Sequence, residues 1–287
     1  MSVVLAKALL EKLNLEAIDL DLFRAQNEEA FGGRLFGGQV LAQALAAAQK
    51  TLYDHRPCHS LHGYFLRPGR LDTPVVFQVE RIRDGRSFTT RRVIAVQRGQ
   101  AIFSLDASFQ LPERGLNHQV QMGSYPSPDQ LEDDQAVAAR LDLEEPRKTW
   151  MTRPKPFQTR SVSPLDLPPV NRTEQAVWIR FSSTISSPDQ QQQLLAYASD
   201  MGLVSTSALP HREHLSRDHF QMASLDHTLW FHDDFDVSEW VLYVKDTPVT
   251  GGNRGLNRGT FFDDEGRCIA SVIQEGLMRV ADTNHQG

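Results

Sequence analysis

The sequence contains the same layout twice. Gly252 lies 167 residues after Gly85, and Gly266 lies 167 residues after Gly99. Each pair sits between segments whose apolar residues recur at strand spacing, so each glycine reads as a hairpin turn. In the first half a helix is predicted over 40–48, followed by strands at 60–66, 75–82, 88–97 and 101–110. In the second half a strand at 176–182 precedes a helix over 190–201, and strands follow at 224–231, 240–245, 256–262 and 268–278. The strand at 101–110 alternates Ala101, Phe103, Leu105, Ala107 and Phe109 with Ser104, Asp106, Ser108 and Gln110, so one of its faces is apolar and the other wet. Duplication of one helix-then-sheet unit restricts the chain to an α+β architecture.

The outlying segments differ in character. The first 23 residues read as an amphipathic helix with charges throughout, not as a secretory leader. Nine of the 15 prolines fall within 112–174, a density that denies long helices and central strands. That stretch is expected to connect the two units, with one short helix near 134–141 and with Trp150 and Phe157 docking it. The expected division is therefore 1–111, 112–174 and 175–287.

Composition removes several classes of function. A net charge of −6 with no basic stripe argues against nucleic-acid binding. Cys58 and Cys268 are the only cysteines, without metal-ligand spacing or a disulfide framework. No apolar run reaches the 18 residues of a membrane span. His227 and His232 would point to opposite faces of a strand, a poor metal pair, and His211, His214 and His219 read as solvated loop residues. Seven arginines (Arg67, Arg83, Arg86, Arg91, Arg92, Arg254 and Arg258) include candidates for phosphate contacts, but most read as solvated face residues and none is singled out as a site. A reducing cytoplasm is the expected location.

Comparing the two halves isolates the chemistry. Leu194, Tyr197, Ala198 and Met201 make one stripe of the second helix apolar, and Asp200 stands at its end with no cation in the segment. Asp200 either turns to solvent where the helix frays before Gly202, or is buried with a raised pKa. Superposing 41–46 on 195–200 puts Asp200 opposite Ala46. The offset of 167 puts Gln274 opposite Ala107, on the core-facing side of the last strand. Two polar residues thus replace two inward alanines in one repeat only. A buried polar group requires a partner or a task. The glycines of Phe36-Gly37-Gly38-Gln39 are expected to enter the first helix tightly and leave its first N–H groups uncovered.

Asp200, the run Ser224-Leu225-Asp226-His227-Thr228-Leu229-Trp230-Phe231-His232 and Gln274-Glu275-Gly276 together resemble the acyl-CoA thioesterase II family. The resemblance extends to Phe36-Gly37-Gly38-Gln39, Tyr64-Phe65-Leu66-Arg67-Pro68-Gly69 and Arg83-Asp84-Gly85-Arg86-Ser87-Phe88. It implies a double hotdog fold, two tandem repeats each with a central helix wrapped by an antiparallel sheet. It also implies hydrolysis of fatty acyl-CoA to fatty acid and coenzyme A by water that Asp200, Ser224 and Gln274 hold and activate. Ser224 stands where some relatives carry Thr and keeps the hydroxyl. No cofactor and no metal are expected, and assembly into a homo-oligomer, a dimer or tetramer, is expected by resemblance alone. The absence of a GxSxG elbow disfavours attack by Ser224 itself. Attack by Asp200 itself, through an anhydride, stays open. Two other readings stand beside thioester hydrolysis. A hotdog enoyl-CoA hydratase or dehydratase would pair an Asp with a His, and no His lies near Asp200 in sequence. A non-catalytic acyl-CoA-binding protein would not require both Asp200 and Gln274 to face inward.

Overall fold

Apolar residues one helical turn apart bury one stripe of α1 (Ser2–Leu13), through Ala6, Leu9 and Leu13. Residues 2–28, 34–145, 147–163, 165, 173–212, 215 and 220–280 are described in the computed structural model. The predicted N-terminal helix stops earlier than Phe23. It gives way to a hairpin of β1 (Glu16–Asp19) and β2 (Leu22–Ala25), which turns through Asp21 at φ 55°. Asp tolerates that left-handed conformation, and Phe23 and Ala25 alternate inward at strand period, which overrides the helical reading.

Next comes α2 (Gly37–Gln49), buried from Gly38 to Gln49. Four strands follow it: β3 (Cys58–Phe65), β4 (Val75–Asp84), β5 (Phe88–Gln97) and β6 (Gln100–Gln110). The β5–β6 hairpin turns on Arg98 and Gly99 at φ 50° and 74°, the two left-handed positions of a tight two-residue turn. Within 112–174 the described residues include the short helices α3 (Asp134–Arg140) and α4 (Arg147–Thr152), a 3-10 turn at Pro128–Gln130 and the strand β7 (Phe157–Ser161). The sequence reading anticipated only the first. Asp133 caps α3 by accepting from the N–H groups of Gln135 and Ala136.

The second half runs β8 (Glu174–Phe181), α5 (Pro188–Ser199), β9 (Phe220–Ser224), β10 (Asp226–Phe231), β11 (Val241–Gly251), β12 (Arg254–Phe262) and β13 (Cys268–Val280). The single strand predicted at 224–231 is divided at Leu225. Its N–H donates to the Glu275 carbonyl while its own carbonyl accepts from Phe65, so the chain changes partner there.

All strand pairs are antiparallel, and the order is β1-β2-β4-β5-β6-β3-β10-β13-β12-β11-β8-β7, with β9 added to β13. The order is mirrored about the β3–β10 seam, where Leu61 faces Leu229. Moving outward from it, β6 answers β13, β5 answers β12 and β4 answers β11. The 167-residue repeat is therefore a repeat of hairpin turns at equivalent places. Inside the curved sheet α2 and α5 lie side by side and antiparallel, because Gly38 meets Tyr197 and Asp200 while Gln49 meets Gln192 and Gln193. Two central helices in one continuous antiparallel sheet make the double hotdog that the resemblance implied. Gln192 ties the halves together: its amide accepts from the Cys58 N–H at 3.0 Å and donates to the Cys58 carbonyl at 2.7 Å. Phe157 is buried against Phe181 and Tyr197, and Met122, Tyr125 and Leu131 cover Trp178, Leu242 and Phe262. Trp150 is half-buried beneath the Lys155 ammonium. Among the described residues no helix is long and apolar enough to cross a membrane.

Candidate active site

Asp200 is the C-terminal cap of α5, and Gly202 at φ 69° turns the chain away from the helix. It does not turn to solvent; it is 7 % exposed. Because α5 runs antiparallel to α2, the end of one helix meets the beginning of the other. The Gly38 N–H donates to Asp200 Oδ2 at 2.9 Å. The first turn of α2 is thus partly covered, where uncovered N–H groups were expected. A carboxylate suits that place, since helix N-termini carry partial positive charge.

Glycine is required for this approach. A Cβ on Gly37 would lie 2.7 Å from Asp200 Oδ2 and 3.0 Å from the Phe65 ring. A Cβ on Gly38 would lie 2.3 Å from the Tyr197 carbonyl oxygen.

The other two expected residues converge on the same carboxylate. Gln274 points inward from β13, fully buried, and its Nε2 donates to Asp200 Oδ1 at 2.7 Å. Ser224, at the end of β9, has its Oγ 3.1 Å from Gln274 Nε2 and 3.4 Å from Asp200 Oδ1. The Tyr243 hydroxyl donates to the Ser199 carbonyl at 2.6 Å and steadies the end of α5.

A fourth residue joins them that the sequence reading set aside. His227 is fully buried, with Nδ1 3.0 Å from Gln274 Nε2 and Nε2 2.8 Å from Ser199 Oγ. Its Nδ1 is 3.9 Å from Asp200 Oδ1. No His lies near Asp200 in sequence, but strand pairing closes the 27 residues that separate it from His227. Alternation along β10, which turns Leu229 and Phe231 inward with His227, was the available signal. His232 falls on the exposed side. His211 bonds the Thr250 hydroxyl and packs on Phe220, while His214 and His219 lie outside the described residues.

Burial sets the electrostatics. Loss of water pushes the Asp200 carboxyl up to about 6, against the lowering effect of hydrogen bonds from Gln274, Gly38 and Ser224. Burial pushes His227 down to about 3, so the ring is neutral at physiological pH and forms no ion pair with Asp200. The set therefore holds one proton acceptor poised near neutrality, an amide donor and a hydroxyl.

The equivalent place in the first half carries none of this. Ala46 and Ala107 are buried there. Arg91 faces Ala107 across the β5–β6 ladder, as Asn257 faces Gln274 across β12–β13. The Arg91 guanidinium bonds Thr51, Asp84 and the carbonyls of Arg83 and Thr90. Most of the seven arginines read from the sequence as solvated face residues, but Arg91 is completely buried. Its position on the inward side of β5 explains the difference.

Comparison with known proteins agrees with this architecture. Residues 26–110 match the acyl-CoA thioesterase N-terminal domain, and residues 168–277 match the acyl-CoA thioesterase family. The acyl-CoA thioesterase 2 of Haemophilus influenzae is 35% identical over 96% of this chain and 98% of its own length. Human acyl-coenzyme A thioesterase 8 is 38% identical over 93% of this chain and 88% of its own. The crystal structure of an acyl-CoA thioesterase II from Mycobacterium marinum superposes with a TM-score of 0.80 at 38% identity, over 96% of this chain and 99% of that one. With both halves matched and relatives of this identity aligned over nearly their whole length, the chain belongs to the acyl-CoA thioesterase family.

Proposed function

We propose that Asp200, Ser224 and Gln274 activate the water that hydrolyses acyl-CoA in this thioester hydrolase. The observation that carries the reading is the convergence of the Gln274 amide and the Ser224 hydroxyl on one buried carboxylate oxygen, Asp200 Oδ1. Asp200 takes a proton from water as the water oxygen attacks the thioester carbonyl carbon. Ser224 and Gln274 hold that water, which contributes through orientation. The oxyanion is met by an N–H of the first turn of α2, where the peptide dipoles favour negative charge. Collapse breaks the C–S bond, and the proton on Asp200 passes to the departing thiolate. Fatty acid and coenzyme A leave, and the carboxylate is regenerated. His227 is buried, neutral and bonded to Gln274, which disfavours an Asp–His hydratase reading.

Medium- to long-chain acyl-CoA is the substrate class in this reading, and cytoplasmic location and homo-oligomeric assembly accompany it. So does the division into 1–111, 112–174 and 175–287, with catalysis in the last. Release of free thiol from acyl-CoA, without added metal and across a series of chain lengths, is the test. Activity abolished by a chelator and restored by zinc would contradict the reading, as would an intact thioester carrying added water. Titration with a non-hydrolysable acyl-CoA analogue is expected to give one productive site per chain, because Ala46, Ala107 and Arg91 cannot replace the catalytic set. Two equivalent catalytic sites would contradict it.

A further inference from the structure

The amide of Gln274 faces three acceptors with two hydrogens. Its Nε2 lies 2.7 Å from Asp200 Oδ1, 3.1 Å from Ser224 Oγ and 3.0 Å from His227 Nδ1. A primary amide presents either its oxygen or its nitrogen to a site, and the hydrogen-bond network decides which. While Asp200 is ionised, its charge selects the nitrogen. Once Asp200 carries the proton taken from water, that preference vanishes, since a carboxylic acid also donates.

The network behind His227 does not change with that proton. Gln274 Nε2–H donates to Nδ1, which leaves the ring hydrogen on Nε2. Nε2–H then donates to Ser199 Oγ at 2.8 Å, and the Ser199 hydroxyl donates to the Ala196 carbonyl at 2.8 Å within α5. The chain of donors has one consistent direction, and it ends on a helix carbonyl that cannot donate. His227 and Ser199 are both completely buried, so no solvent competes for these bonds.

We infer that His227 is a positioning residue: its Nδ1, held as an acceptor by the Ser199–Ala196 chain, keeps the Gln274 N–H turned toward Asp200 and Ser224 through the catalytic cycle. The inference rests on the proposed Asp200–Ser224–Gln274 reading and assigns the ring no contact with substrate. Its use is orientation, comparable to the outer partners that fix ligand rings in metal sites.

Two substitutions in the full-length protein separate the ring's two nitrogens. His227→Asn places an amide group near Nδ1 and retains an acceptor for Gln274. His227→Gln reaches toward Nε2, retains the bond to Ser199 and loses the acceptor at Nδ1. We expect His227→Gln to lower kcat roughly 10–10²-fold with KM little changed, as for loss of orientation. His227→Asn should recover at least tenfold of that loss. Adding His227→Gln to Gln274→Ala should cost little beyond Gln274→Ala alone, since both act through one amide. Equal losses in the Asn and Gln variants, or full additivity with Gln274→Ala, would overturn the inference. If neither variant folds, the parent protein decides. The ¹⁵N shifts of His227, assigned through its backbone, should report the Nε2–H tautomer across pH 5–8, and an Nδ1–H tautomer would overturn the inference. If Gln274→Ala itself turns over at the parent rate, the catalytic reading fails, and the tautomer result still stands as a separate finding.

Discussion

Asp200→Asn is expected to fold like the parent and to turn over acyl-CoA roughly 10²–10⁴-fold more slowly, the range for loss of a general base. Asn keeps the shape of the side chain: its oxygen accepts from Gln274 Nε2 in place of Asp200 Oδ1, and the Gly38 N–H, which donates to Oδ2 in the parent, loses its charged acceptor. The stability change has a definite sign. The folded-state pKa of about 6 lies above the ordinary 3.8. The protonated carboxyl therefore contributes stability that is full below 3.8 and is lost as pH rises through 6. A neutral Asn escapes that loss, so its melting temperature relative to the parent should be higher at pH 8 than at pH 4. The shift corresponds to at most about 3 kcal/mol, less whatever hydrogen bonding Asn forfeits. Thermal scans at the two pH values check it. Ser224→Ala and Gln274→Ala should each slow turnover by less, because water still enters but is held less well.

Gly38→Ala is expected to damage fold and activity together. Its methyl carbon would sit 2.3 Å from the Tyr197 carbonyl oxygen, and it would meet the Phe36 ring at 2.5 Å. Backbone cannot yield as a flexible side chain can, so α2 and α5 must separate where Asp200 is held. Overpacking of this kind costs about 3 kcal/mol, lowering the melting temperature by roughly 6–12 °C in a chain of this size. Withdrawal of the Gly38 N–H from Oδ2 should lower turnover by about 10²-fold. A Gly38→Ala protein with the parent's melting temperature and rate would show that the two helices are not in this contact.

Much of this was legible in the residues, for identifiable reasons. A strand with one wet face alternates, so Phe103, Leu105, Ala107 and Phe109 announced the core side of β6, and the repeat carried that side over to Gln274. The ladder at β13 places Gln274 inward, as the alternation required. Less visible were elements too short to show a period. The four-residue strands β1 and β2 sit beside a helix whose pattern masks them, and β7 hides among prolines because an edge strand tolerates what a central one does not. Contacts between the two central helices left no local mark. The meeting of Gly38 with Asp200 depends on the antiparallel packing of elements 162 residues apart. His227 carries no local mark of its partners, because Ser199 and Gln274 come from α5 and β13.

The pH dependence of kcat/KM in the parent protein tests the central claim most directly, since it reports ionisation in the free enzyme. If Asp200 is the base, kcat/KM for an acyl-CoA should rise with pH through a midpoint near 6 and then level off. The same measurement on Gln274→Ala should show the midpoint moved upward, because the hydrogen bond from Gln274 is one of those that lower it. A parent profile that is flat from pH 4.5 to 8, or a midpoint that Gln274→Ala leaves in place, would contradict the assignment of Asp200 as the base.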